Sequence, residues 1–190
     1  MRATLPPHQW FGTTTSVTAL LHWIYTEDGP RPLLYVTNVG DSKVVVIRPS
    51  ERRLIFRTSE QWHWFDCPMQ LGTNSIDTPR DNAVMSTVAL REDDLVLALS
   101  DGVTDNLYEQ ELLSITLDSL RRWDKGQTEE DRHDEFSDEW LPDPALAENR
   151  MVFVARELLK AACLIAQDPM GESPYMEKAI DEGLTYQGGE

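Results

Sequence analysis

The chain has 190 residues, enough for one domain with its own core and short for two of ordinary size. With 17 Lys and Arg against 33 Asp and Glu, its formal net charge of −16 excludes a nucleic-acid backbone or an anionic membrane surface as a natural partner. A hydrophobic content of 41% with 6 Trp excludes wholesale disorder.

In chain order, Gly12 opens a Thr-rich and aromatic run ending at Tyr25, a composition that favours strand over helix. Glu27, Asp28, Gly29 and Pro30 form a turn signal, and a strand over residues 33–39 completes a hairpin. Gly40, Asp41 and Ser42 make a tight corner before a β-branched strand at 43–48, and Pro49 and Ser50 lead into another at 54–57. The first third therefore reads as an antiparallel meander. Residues 58–72, rich in Trp, His and Phe, read as a packed connection, and 74–82 as an exposed loop. Alternation returns over 83–90, and a turn at 91–93 predicts a hairpin with the strand that follows.

That next strand is the apolar run Leu95, Val96, Leu97, Ala98, Leu99, closed by Ser100, Asp101 and Gly102. A continuous aliphatic run reads as a buried strand, which puts the Asp101 carboxylate at the strand's end, with Asp105 just beyond it. Asn106 and Glu109 resemble a capping box for a helix starting at Leu107, with Leu112, Leu113, Thr116, Leu117, Leu120 and Trp123 on one face. Residues 124–143 are strongly acidic and predict a solvated loop insert. Asp143 and Pro144 signal a helix start, 151–167 is amphipathic, and a short helix is expected over 173–182. No internal repeat is present.

On their own context Asp101 and Asp41 read as turn carboxylates held by backbone amides, and Asp105 as part of a helix cap. His63, between Trp62 and Trp64, reads as a hydrogen-bonded structural histidine rather than half a metal site with Cys67. His22 alternates with apolar neighbours and is expected to be structural. Cys67 and Cys163 stand far apart with no CxxC pattern, so a reducing, intracellular setting is expected. Neither a signal peptide nor a membrane-spanning helix is expected.

GTTTSVTALL (residues 12–21), LLYVTNVGDSKVVVI (33–47) and LVLALSDGVTDNL (95–107) resemble, in order and spacing, three motifs of the metal-dependent type 2C protein phosphatases. TSEQWHWFDCPMQL (58–71) and SPYMEKAIDEGLTYQGG (173–189) resemble the branch called protein phosphatase 2C homolog 7, some members of which are mitochondrial. The resemblance implies an α+β fold of two packed antiparallel sheets flanked by helices, spanning residues 1–190 apart from the acidic insert. It implies hydrolysis of phosphoserine or phosphothreonine in protein substrates, with Mg²⁺ or Mn²⁺ as cofactor. It places a metal ligand on Asp101 and positions near an additional ion on Asp41 and Asp105. The family's DGVGGW or DGHGG segment and its closing GGxPDD or DNxT segment do not stand in this sequence. A domain incomplete at both ends, with weak or absent activity, is therefore the expectation. The alternative is a non-catalytic phosphatase-like binding or regulatory module. Uncovered sheet edges are further expected to favour self-association. The substrate, and a choice between mitochondrion and cytoplasm, stay open.

Overall fold

The computed structural model describes residues 11–126, 149–186 and 188. They fall into two compact units that divide between Asp101 and Gly102.

The first unit is built of strands. After the short β1 (Thr13–Thr14) come β2 (Ser16–Thr26), β3 (Gly29–Val39), β4 (Lys43–Arg48) and β5 (Arg53–Arg57). The small strands β6 (Trp62–Trp64), β7 (Cys67–Pro68) and β8 (Leu71–Gly72) follow, then a single helical turn α1 (Pro79–Asn82), β9 (Val84–Ala89) and β10 (Leu95–Leu99). Two three-stranded antiparallel sheets result, β2-β3-β9 and β10-β4-β5. They face each other: Leu34, Val36 and Val88 of the first share one buried cluster with Val44 and Val46 of the second. The α+β class, with two packed antiparallel sheets, is as the sequence implies.

Three local expectations are corrected. The opening strands do not form a single meander, because the corner after Val39 carries the chain from one sheet to the other, so that β3 and β4 are not paired. Likewise β9 and β10 do not form a hairpin. β9 pairs with β3 and β10 with β4, and Asp94 closes the connecting turn by accepting from Arg91 N at 2.8 Å. The same carboxylate takes both Nε and an Nη of Arg48, at 2.8 and 2.7 Å, which ties the turn to the end of β4. Such a two-point guanidinium pair fixes orientation as well as distance. Finally, Leu95–Leu99 is not the buried strand. It lies at the edge of its sheet, with Val96 37% exposed, while β4 in the middle is buried from Val44 to Arg48.

Between these sheets' strands, residues 58–72 form the β6–β7 and β1–β8 ladders rather than an irregular connection. Strand β2 pairs only with β3 among the described strands, and its Leu20, Leu21, Trp23 and Tyr25 are all more than half exposed. Cys67 and Cys163 are free thiols.

The second unit is helical. The short α2 (Asp101–Thr104) leads from the unit boundary to α3 (Glu109–Asp124), α4 (Arg150–Ala166) and α5 (Pro174–Asp181). The first long helix starts two residues later than the sequence suggests. Tyr108 is its N-cap, its N–H donating to the Glu111 carboxylate at 2.9 Å, while the Asn106 side chain instead donates to the Gly102 carbonyl at 3.1 Å. Helices α3 and α4 pack through Leu112, Thr116 and Leu120 on one and Phe153, Val154 and Leu158 on the other. Arg122 reaches across, 5.3 Å above the Phe153 ring and 2.5 Å from Glu157. Asn149 and Ser173 cap α4 and α5 by accepting from Met151 N and Met176 N. The acidic stretch beyond 126 and the helix start at Asp143 and Pro144 lie outside the described residues. Among the described residues, no helix is long and apolar enough to cross a membrane.

Candidate functional site

Strands β4 and β10 run antiparallel with Leu99 opposite Lys43. Asp41 and Ser42 precede Lys43, and Ser100 and Asp101 follow Leu99, so both carboxylates leave the same end of this sheet. Asp101 is exposed, and Asp41 is 9% exposed. By backbone register, Asp41 and Asp101 therefore belong to the same β4/β10 end.

The corner carrying Asp41 is held from several directions. Gly40 has a φ of +100°, a conformation L side chains rarely adopt. Its N–H donates to the Gln61 side chain at 3.0 Å, and its carbonyl accepts from Gln61 N at 3.1 Å and from the Asn38 amide at 3.0 Å. On the far side of Asp41, Ser42 Oγ and Thr15 Oγ1 are 2.9 Å apart.

His63 is hydrogen-bonded, as the sequence suggests. Its Nε2 lies 3.0 Å from Asp77, which also accepts from Gln70 N at 2.9 Å. Burial pushes the Asp77 carboxyl up, but His63, the Gln70 amide and Ser75 together bring it below its ordinary value. Asp94 behaves alike: burial raises it, and Arg48 with the Arg91 amide lowers it by more. Neither Asp77 nor Asp94 announces itself in the sequence, since both sit in polar turn-forming stretches where a carboxylate is unremarkable. Gln61 is equally silent, its partner Gly40 being distant in the chain.

In the helical unit, Asp105 is 8% exposed, and its carboxylate lies 3.1 Å from the Lys178 ammonium. Its carbonyl accepts from Tyr175 N at 3.0 Å, so the turn at 105 is pinned to the start of α5.

No family model matches the chain. The chain is 32% identical over 164 residues to the protein phosphatase PTC7 homolog fig of Drosophila pseudoobscura pseudoobscura, covering 82% of this chain and 41% of that protein. It is 38% identical over 87 residues to the probable protein phosphatase 2C 1 of Oryza sativa subsp. japonica, covering 46% of this chain and 26% of that one. In three dimensions it is similar to the photosystem II phosphatase PBCP, with a TM-score of 0.64 and 28% identity over 91% of this chain and 53% of that one. The chain belongs to the type 2C protein phosphatase family. It spans less than half the length of those two curated relatives.

Type 2C phosphatases are metal-dependent, which makes the donor set at the β4/β10 end the point to test. Hard divalent ions take oxygen ligands, and Mg²⁺ commonly uses one or two carboxylates with water and substrate phosphate completing the shell. Asp41 and Asp101 fit that pattern in kind. Among the described residues, no group of three or more His, Cys, Asp or Glu side chains is arranged to hold an ion. Asp41 and Asp101 belong to one sheet end by register, and Asp105 is paired with Lys178.

Proposed function

We propose that this phosphatase-family chain acts in metal-dependent hydrolysis of phosphoserine and phosphothreonine in proteins, with Asp41 and Asp101 as carboxylate ligands of Mg²⁺ or Mn²⁺. The observation that carries this reading is the register of β4 against β10, which brings the two family-motif carboxylates to one sheet end. When bound, such an ion supplies Lewis acidity and a water of lowered pKa. The chain's own residues do the rest: Asp41 and Asp101 contribute negative charge where the ion and substrate phosphate meet, and the Gly40 corner holds one of them in place. Asp105 is a further candidate position near an additional ion, and Lys178, 3.1 Å from its Oδ1, would compete with an ion there. Self-association through the exposed strand β2 belongs to the same proposal.

The chain alone is expected to hydrolyse slowly, because two carboxylates bind a divalent ion weakly. The test is Mn²⁺ binding by electron paramagnetic resonance, with hydrolysis of a phosphothreonine peptide in parallel. Asp101→Asn and Asp41→Asn are each expected to weaken Mn²⁺ binding more than tenfold and to remove whatever Mn²⁺-dependent hydrolysis the chain has. Binding and hydrolysis untouched by both substitutions would overturn the reading.

A further inference from the structure

A carboxylate on a tight corner serves an ion only if the corner is fixed to within about half an ångström, and neighbouring hydrogen bonds supply that fixity. Asp41 is flanked by Gly40, whose N–H and C=O both meet one residue: Gln61 accepts the N–H with its side chain at 3.0 Å and donates its own N–H to the carbonyl at 3.1 Å. The remaining polar atoms of Gln61 are also engaged. Its side-chain Nε2 donates to the Asn82 carbonyl at 2.7 Å, and its carbonyl accepts from Met69 N at 2.9 Å. The side-chain amide therefore bridges the Gly40 corner to the end of α1, while its backbone joins that corner to the approach of β8. A second amide, Asn38 Nδ2, holds the Gly40 carbonyl and the Ser59 carbonyl, at 3.0 and 3.1 Å.

We infer that Gln61 is a positioning residue for Asp41: its amide sets the Gly40 backbone, and through it the direction in which the Asp41 carboxylate leaves the sheet end. This rests on the proposed role of Asp41 at a metal site. The amide does both jobs with separate atoms, its oxygen accepting from the Gly40 N–H and its nitrogen donating to the Asn82 carbonyl. The substitution Gln61→Glu would keep the first contact and set an oxygen against the Asn82 carbonyl, whereas Gln61→Met would keep the volume and lose both contacts.

The experiment measures Mn²⁺ affinity by electron paramagnetic resonance, and Gly40 amide hydrogen exchange by NMR without metal, in the full chain. Gln61→Met is expected to accelerate Gly40 exchange at least tenfold and to weaken Mn²⁺ binding about tenfold, the usual scale for a residue behind a ligand. In an Asp41→Asn background the same substitution should leave the residual Mn²⁺ affinity unchanged, whereas a merely structural role would lower it in both backgrounds. If Gln61→Met does not fold, judged by circular dichroism, Gln61→Glu serves, with a smaller rise in Gly40 exchange. Normal Mn²⁺ affinity in the Gln61 variant, with Asp41→Asn impaired, overturns the positioning role alone. Normal affinity in Asp41→Asn overturns the site reading and this inference together.

Discussion

At Gly40 an added Cβ would stand 2.5 Å from Thr15 Cγ2 and 2.6 Å from the Met69 carbonyl oxygen, with φ at +100°. The backbone oxygen cannot move aside without straining the Met69 to Gln61 contact, so strain and clash add. Gly40→Ala is expected to destabilise the chain by about 3 kcal/mol in urea unfolding. Gly29 provides the control: its φ is +110°, but nothing lies within 4 Å of its would-be Cβ. Gly29→Ala should cost only the backbone strain, about 1–2 kcal/mol. The Gly40, Asp41, Ser42 corner was legible in the sequence because a glycine beside a polar pair, set between two β-branched runs, marks a turn. Its clamp was not, because Gln61 acts by a single long-range contact that leaves no periodic trace.

Among the elements, β4 and β10 are a matched pair with opposite fates. Both are aliphatic runs, and in register Val46 stands opposite Val96, yet Val46 is fully buried and Val96 is 37% exposed. The difference is rank in the sheet: β4 has a strand on each side and β10 has one. Val46→Ala is expected to cost about 2 kcal/mol and Val96→Ala less than about 1 kcal/mol, compared by urea denaturation midpoints. Composition reveals that such a run is a strand but not whether it is central, since rank is decided by partners elsewhere in the chain. For the same reason the sequence placed strands and helices well and their pairings less well. Asp94 accompanies the crossing with a bidentate contact to Arg48, and an Asp in a turn signals nothing of its partner. At the site, the strand-end position of Asp101 was readable from the run before it, while the capture of Asp105 by Lys178 depends on a helix far along the sequence.

For the whole molecule, the acid response follows from Asp77 and Asp94. Both are held below the ordinary carboxylate value in the folded state. The unfolded chain therefore takes up these protons first, and the stability they contribute is complete above about pH 5 and lost as pH falls through the folded values. Urea midpoints should decline from about pH 5 towards about pH 3, and Asp94→Asn should flatten that decline while lowering the midpoint at neutral pH. The proposed self-association would rest on a different feature. Strand β2, Ser16–Thr26, carries no Asp, Glu, Lys or Arg in a chain of net charge −16, and its apolar side chains are exposed. An uncharged edge strand is a template for a second copy. The weight-average sedimentation coefficient is expected to rise with concentration, and Trp23→Lys should return it to the monomer value; a concentration-independent coefficient in the unsubstituted chain would remove β2 as an association surface.

The crossing between the sheets gives the corner a mechanical character. Strands β3 and β4 follow one another yet belong to opposed layers, so Gly40, Asp41 and Ser42 act as a strap whose length is set by the spacing of the layers. A bulkier side chain at Val44 or Val36, wedging the layers apart, pulls on that strap and redirects Asp41. At the proposed ion site, changes in the valine core would thus register as altered ion affinity, and second-site suppressors of a weakened site are to be sought in the core as well as beside the carboxylate.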